Sequence, residues 1–245
     1  MSETTVNDEI TANDEMKEKK TGGRTVKKAV IASIPVMTGY LVLGMAFGIL
    51  LADKGYSFWW AFLMSLTIYA GSMQFVAVNL LSGGASFLSA ALMTLLVNAR
   101  HVVYGISMLE KYQGTGKKKP YLIFALTDET YALLNGEVPR DVEEKKYYFY
   151  VSLFDQIYWI TGSVIGALIG SALTINTAGI DFAMTALFLV IFTEQWLTVK
   201  NHVPALLGLG ITLLCLVIFG ADNFLIPSMV LIVIVLCVIE TIASR

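Results

Sequence analysis

Seven stretches of this chain are nearly free of charge and long enough to cross a bilayer: Ala29 to Ala52, Phe58 to Leu81, Ala85 to Leu109, Tyr147 to Leu173, Phe182 to Val199, Val203 to Gly220 and Phe224 to Ala243. Crossing about 30 Å of hydrocarbon takes roughly 20 helical residues. Inside that layer backbone amides find no water, which favours helices for runs of this kind. The expected fold is therefore all-α, a polytopic membrane protein with about seven membrane helices. Composition agrees, with 56% hydrophobic and 15% charged residues and a mean hydropathy of +0.68, against roughly 45 to 50% and 25% in an average soluble domain. A further run, Pro120 to Asn135, is shorter and holds Asp128 and Glu129. It is expected as a half-span, a re-entrant helix or a helix wholly shielded by protein.

Residues 1–28 contain no aromatic side chain and mix acids with bases, so they cannot bury enough apolar surface to order themselves. The expected organisation is a disordered cytoplasmic tail, 1–28, followed by a single transmembrane transport domain, 29–245. No cleaved leader is expected, because the first apolar run, at about 24 residues, exceeds the roughly 7 to 15 of a signal-peptide core. Cys215 and Cys237 lie in apolar runs and read as small core hydrophobes, not as a disulfide or metal pair.

Lysine and arginine in short loops favour the cytoplasm. Lys17, Lys19, Lys20, Arg24, Lys27 and Lys28 precede the first run, while Lys111, Lys117, Lys118 and Lys119 follow the third. Both regions are expected inside, yet full crossing by all the intervening runs would put the second outside. The expected resolution is a broken run at Tyr69-Ala70-Gly71-Ser72, since glycine and serine in mid-membrane mark helices that unwind beside a protein-lined cavity. There is also an internal echo. Thr38-Gly39, Gly44, Gly48 and Gly55 precede the run bearing Gln74, much as Thr161-Gly162, Gly166, Gly170 and Gly179 precede the run bearing Gln195. A duplicated transporter half leaves such a two-fold repeat, and glycine at four-residue spacing is also ordinary membrane helix packing; both readings stay open.

Four polar groups interrupt the apolar runs. Gly71, Ser72, Gln74 and Asn79 form the first; Thr67, Gly71, Gln74 and Val78 would share one face of an unbroken helix, for substrate contact or for interhelical hydrogen bonding. The second is Asn98-Ala99-Arg100-His101, a fixed charge and an imidazole at bilayer depth, where a charge costs roughly 2.5 to 3.5 kcal/mol even on lenient scales. Thr94, Asn98, His101 and Gly105 share a face, with Arg100 about a quarter turn away. Arg100 is expected to pair with a buried carboxylate, and His101 either carries a proton or stays neutral and hydrogen-bonded. Thr127-Asp128-Glu129 are the third group, read as proton-coupling or substrate-binding acids, or else as helix-terminal caps. Asp155-Gln156 with Trp159, and Thr193-Glu194-Gln195-Trp196, form the fourth and weakest, each expected near the end of a span, where snorkelling and aromatic anchoring are normal.

Three segments carry a resemblance: Tyr69-Ala70-Gly71-Ser72-Met73-Gln74-Phe75, then Asn98-Ala99-Arg100-His101-Val102-Val103-Tyr104-Gly105-Ile106-Ser107, then Leu126-Thr127-Asp128-Glu129-Thr130-Tyr131-Ala132. In this order and spacing they resemble signatures of the AzlC family of branched-chain amino acid exporters, and Pro35, Gly39-Tyr40, Gly44 and Ala46-Phe47-Gly48 resemble its first helix. The family often has leucine or valine where this chain has Ala99. The last two spans match only in hydropathy. The resemblance implies a permease in the plasma or inner membrane that exports leucine, isoleucine, valine and toxic analogues such as azaleucine by proton-coupled secondary transport, paired with a small membrane subunit, AzlD.

The residues suit such a cargo. A branched-chain amino acid is a zwitterion with an apolar side chain, so its site needs donors, acceptors and a greasy pocket. A half-helix N-terminus after Gly71 offers free N–H groups to a carboxylate, and Asp128 or Glu129 offers an acceptor for an ammonium. The residues expected to bind or couple are Gly71, Ser72, Gln74, Asn98, Arg100, His101, Asp128 and Glu129. No catalytic residue, metal, cofactor or nucleic-acid partner is expected, and the chain has no Gly-x4-Gly-Lys-Ser/Thr loop for ATP. An intramembrane enzyme is disfavoured by the lack of His-Glu-x-x-His and Gly-x-Ser-x-Gly. A non-transporting subunit is the remaining rival.

Overall fold

The computed structural model describes residues 3–173, 179, 181–220 and 224–243. All regular structure among them is helical: α1 (Glu3–Asp53), α2 (Phe58–Thr67), α3 (Gly71–Ser82), α4 (Phe87–Ser107), a 3-10 turn (Gly116–Lys118), α5 (Lys119–Phe124), α6 (Asp128–Asn135), α7 (Glu144–Ala172), α8 (Asp181–Thr198), α9 (Val203–Phe219) and α10 (Leu225–Ala243). Among the described residues three segments are long and apolar enough to cross a membrane, namely Thr21–Asp53 within α1, then α4 and α7. Shorter apolar helices are α2, α9 and the Pro227–Ile239 part of α10.

Two of the expected runs are divided. The run from Phe58 to Leu81 splits into α2 and α3 around Ile68 to Ala70, where Ile68 N–H still reaches the Met64 carbonyl and Tyr69 N–H falls back on the same oxygen at 3.3 Å. Tyr69 sits at φ +44°, a left-handed conformation that costs a non-glycine residue roughly 1 to 2 kcal/mol. Thr67 and Gln74 therefore do not share a continuous helix face. The run from Pro120 to Asn135 is α5 and α6, parted at Ala125 to Thr127. Thr127 is extended (φ −88°, ψ 175°) and caps α6, its Oγ1 accepting from Thr130 N–H. Asp128 and Glu129 thus occupy the first turn of a helix, not the middle of a run.

The chain divides into two compact units: residues 1–78 with 100–177, and residues 79–99 with 178–245. In the first unit α1 and α7 lie in backbone contact. A methyl group on Gly44 would stand 3.0 Å from the Trp159 carbonyl oxygen, and one on Gly162 would stand 2.8 Å from that of Leu41. Methyls on Gly48 and Gly166 would overlap the carbonyl oxygens of Ser163 and Met45 outright. Gly44 faces Ser163, Gly48 faces Ala167 and Gly170 faces Ile49, so the two helices run parallel. Glycine lets two backbones approach this closely in a membrane.

The starting ends of this pair are tied together. Lys28 pairs with Asp141, holding that carboxyl below the usual carboxylate range through its hydrogen bond, and Thr25 Oγ1 accepts from Glu143 N–H at 3.1 Å. Beneath them Ala29, Met108, Tyr112, Leu122, Leu134 and Tyr148 form an apolar cluster. In the second unit α9 packs on α10, and a cavity of about 510 Å³ opens beside Trp196, whose ring stacks on His202 with centroids 4.0 Å apart. Cys215 is buried as a core residue, whereas Cys237 is exposed and is not one.

Overpacking this close contact tests it. Gly48→Ala and Gly166→Ala should each lower stability by roughly 1 to 3 kcal/mol or more, read as a drop in melting temperature of detergent-solubilised protein. Gly39→Ala, where the added methyl meets nothing within 4 Å, should leave the transition unchanged.

Candidate functional site

A stripe along α7 organises the polar residues of the first unit. Ser152, Asp155, Trp159, Gly162, Ser163 and Gly166 recur at three- and four-residue spacing and are all buried, so one helix face presents a carboxylate, an indole and small residues to its neighbours. Asp155 Oδ2 accepts from Thr130 Oγ1 at 2.7 Å. Thr130 accepts in turn from Thr127 Oγ1 at 3.0 Å. Thr127 lies 2.6 Å from the Tyr40 hydroxyl of α1, which donates to Glu129 Oε2 at 2.7 Å. One turn further along α7, Trp159 Nε1 donates to Gln74 Oε1 at 2.8 Å, and Gln74 Nε2 donates to Ser65 Oγ at 3.1 Å. Gln156 accepts from Tyr121 at 2.8 Å and donates to the Leu66 carbonyl beside the α2–α3 break.

The two helix breaks are clasped by one cation. A single Arg100 nitrogen, Nη2, donates to Ser72 Oγ in the first turn of α3 and to Asp128 Oδ2 in the first turn of α6, each at 2.8 Å. Both side chains are about three-quarters buried, 26% and 21% exposed, which makes this more than a surface ion pair. Gly71 is where the break needs glycine. A Cβ there would come 3.0 Å from Trp159 Cη2, so the α3 terminus and the indole could not keep their present distance. Asp128 Oδ1, Asp155 Oδ1 and Arg100 Nε are buried with no hydrogen-bond partner in the chain. Buried polar atoms are normally partnered, so the region has spare capacity for a polar ligand.

Gly71, Ser72, Gln74, Arg100, Asp128 and Glu129 from the sequence reading are thus brought together in the first unit. His101 packs edge-on against Tyr104, centroids 6.0 Å apart, and Tyr104 stacks on Tyr131 at 4.5 Å. Asn98 belongs to the second unit. The expectation that Asp155, Gln156 and Trp159 sit near the end of a span is corrected, because α7 begins at Glu144 and places them well inside the helix, in the middle of the network. A carboxylate within an apolar run is the signal that could have found Asp155. For Glu194 and Gln195, α8 is assigned, but their side chains lie outside the described residues.

The site falls within residues 35–173, the stretch that matches the AzlC protein family. The chain belongs to the AzlC family. The branched-chain amino acid transport protein AzlC of Bacillus subtilis is 45% identical over 229 residues, 93% of this chain and 90% of that protein. An uncharacterized membrane protein of Helicobacter pylori is 46% identical over 214 residues, 87% of this chain and 94% of its own. The inner membrane protein YgaZ of Escherichia coli is 31% identical over 176 residues, 69% of this chain and 72% of that one. No solved structure matches. AzlC membership makes this chain a membrane protein of a transport family, not an enzyme, and a homologue of a branched-chain amino acid transport protein.

Arg100 is tested through its partner. Arg100→Ala should destabilise the protein by about 3 kcal/mol, the low end for breaking a buried pair, because Asp128 is left alone. Arg100→Ala with Asp128→Asn should recover part of that loss. A double variant no more stable than the single one would show that the pair is not coupled.

Proposed function

We propose that the protein is a plasma-membrane permease that exports branched-chain amino acids by proton-coupled secondary transport, working with a small AzlD-like membrane subunit. The observation that carries this reading is the pairing of a broken helix with buried acids. The first N–H groups of α3, beside the Arg100 guanidinium, suit a substrate carboxylate. Asp155 and Glu129, with Asp155 Oδ1 unpartnered, suit an ammonium or a counter-moving proton. Gly71, Ser72, Gln74, Arg100, Asp128 and Glu129 are proposed as binding or coupling residues, and Tyr40 and Asp155 join them. Asn98 and His101 remain proposed contributors on the strength of their place in α4.

The proposed topology puts the N-terminal tail and the Lys117 to Lys119 loop in the cytoplasm. The membrane-length part of α1 and its parallel neighbour α7 have their N-terminal ends together, where Lys28 meets Asp141 of the loop before α7. The chain leaves α1 at the opposite end, so it must make an odd number of passages before α7. Crossing by α4 alone, with α2 and α3 returning at their break, supplies this and leaves both lysine clusters on one side.

Two measurements test these proposals. Purified protein in vesicles should carry leucine, isoleucine or valine only when its small partner is present, with a pH gradient driving the flux. Asp155→Asn should cut that flux roughly tenfold or more, the equivalent of losing one hydrogen bond to a charged group of about 1.5 kcal/mol. Unchanged flux would remove Asp155 from the mechanism. Separately, Lys27→Cys and Lys117→Cys, both at exposed positions, should resist an impermeant maleimide in intact cells and react once the cells are opened. Labelling of position 117 from outside would mean three full passages before it.

A further inference from the structure

The line of contacts from Glu129 through Tyr40, Thr127 and Thr130 to Asp155 can be counted in hydrogens. Its links are Glu129 Oε2 to Tyr40 Oη at 2.7 Å, Tyr40 Oη to Thr127 Oγ1 at 2.6 Å, Thr127 Oγ1 to Thr130 Oγ1 at 3.0 Å and Thr130 Oγ1 to Asp155 Oδ2 at 2.7 Å. A hydroxyl carries one hydrogen and an ionised carboxylate carries none. The hydroxyls of Tyr40, Thr127 and Thr130 thus supply one hydrogen fewer than the links require. With both carboxylates ionised, one link would press two oxygens together with no hydrogen between them. Every link is a direct oxygen–oxygen contact of 3.0 Å or less, too short for a water to stand within it and supply the hydrogen.

We propose that this chain holds one shared proton, which resides on either Glu129 or Asp155 and passes between them by a concerted shift of the intervening hydroxyl hydrogens. With the proton on Glu129, each link donates toward Asp155: Glu129 to Tyr40, Tyr40 to Thr127, Thr127 to Thr130, and Thr130 to an ionised Asp155. With the proton on Asp155 every donor reverses, and Glu129 is the anion. One O–H bond breaks and one forms at each oxygen passed, so a single proton is transferred and no hydrogen is lost. Thr127 fits both arrangements. Its oxygen accepts from Thr130 N–H at 3.3 Å and from one neighbouring hydroxyl while donating to the other.

The charged and titratable groups around the line leave this count intact. Arg100 is engaged by Asp128, so that pair is neutral, and Tyr69, Tyr121 and Tyr147, whose hydroxyls feel Asp155 or Glu129, each bring their own hydrogen. The Glu129 side of the line belongs to α6 and the Asp155 side to α7. Moving the proton therefore moves a negative charge from one helix to its neighbour. The use of that movement in coupling rests on the proton-coupled reading above; the count itself does not.

Infrared spectroscopy of the purified full chain in nanodiscs at neutral pH can count protonated carboxyls from their carbonyl stretch. The Glu129–Asp155 pair should contribute one. Glu129→Gln and Asp155→Asn should each remove that one band, because the introduced amide N–H supplies the missing hydrogen and leaves the remaining acid ionised. A variant spectrum that keeps the full wild-type band would overturn the proposal. Should one variant fail to fold, the other decides by the same loss, and a wild type with no protonated carboxyl overturns the proposal outright. Export indifferent to the pH gradient, with the band behaving as expected, would overturn proton coupling alone. A band unchanged by both substitutions would overturn the shared proton even if export were proton-driven.

Discussion

Backbone contact between α1 and α7 is the constraint on which the first unit depends. Glycines at four-residue spacing on both helices remove the side chains that would hold the axes apart, and van der Waals packing of this kind, not a hydrophobic driving force, associates helices in lipid. The close approach also sets the chemistry. It brings Tyr40 of α1 to the face of α7 that carries Asp155 and Trp159, with the Tyr40 and Trp159 rings edge to face at 5.4 Å. A wider separation would leave the Tyr40 hydroxyl short of Thr127 and Glu129.

Against that frame the short helices act as holders of termini. Neither α2 nor α3, and neither α5 nor α6, is long enough to span a bilayer alone, at about 20 residues. What each pair contributes is a break, and a break exposes the N–H groups of a new helix. The acids Asp128 and Glu129 in the first turn of α6 offset the positive end of that helix. The first turn of α3 contains no acid, and Arg100 adds a cation beside it. Two similar breaks are thereby given opposite electrostatic character, and Arg100 spans them.

The sequence made the helical class, the membrane setting and the break at Tyr69 to Ser72 legible, because apolar run length and mid-run glycine are local signals. The family was legible too, from motifs that the match over residues 35–173 bears out. The centre of the network was not. Snorkelling and aromatic anchoring account for an acid beside a tryptophan near the end of a span, but α7 runs from Glu144 to Ala172 and buries Asp155 fully. Tyr40 and Thr130 carry no local sign of their role, since a hydroxyl among apolar residues is common, and only the packing of α6 against both α1 and α7 joins them. The glycine echo has a packing explanation in the α1–α7 contact, and the count of about seven membrane helices goes beyond the three segments of sufficient length and apolarity.

The arrangement of signs bears on the zwitterionic cargo proposed for this protein. Donors gather at the α3 terminus, beside an Arg100 whose charge Asp128 balances, and further acceptors stand at Glu129 and Asp155. A cation alone would leave the α3 N–H groups without a partner, and an anion alone would meet the charge of the acids, each at a cost that rises in low dielectric. An amino acid carries both charges on groups bonded to one carbon and can meet both sets of partners. In the proposed cycle its ammonium would compete with a proton for the same carboxylates, since either would neutralise the one negative charge assigned to Glu129 and Asp155. Competition of that kind is the minimum a carrier needs to exchange a proton for its substrate.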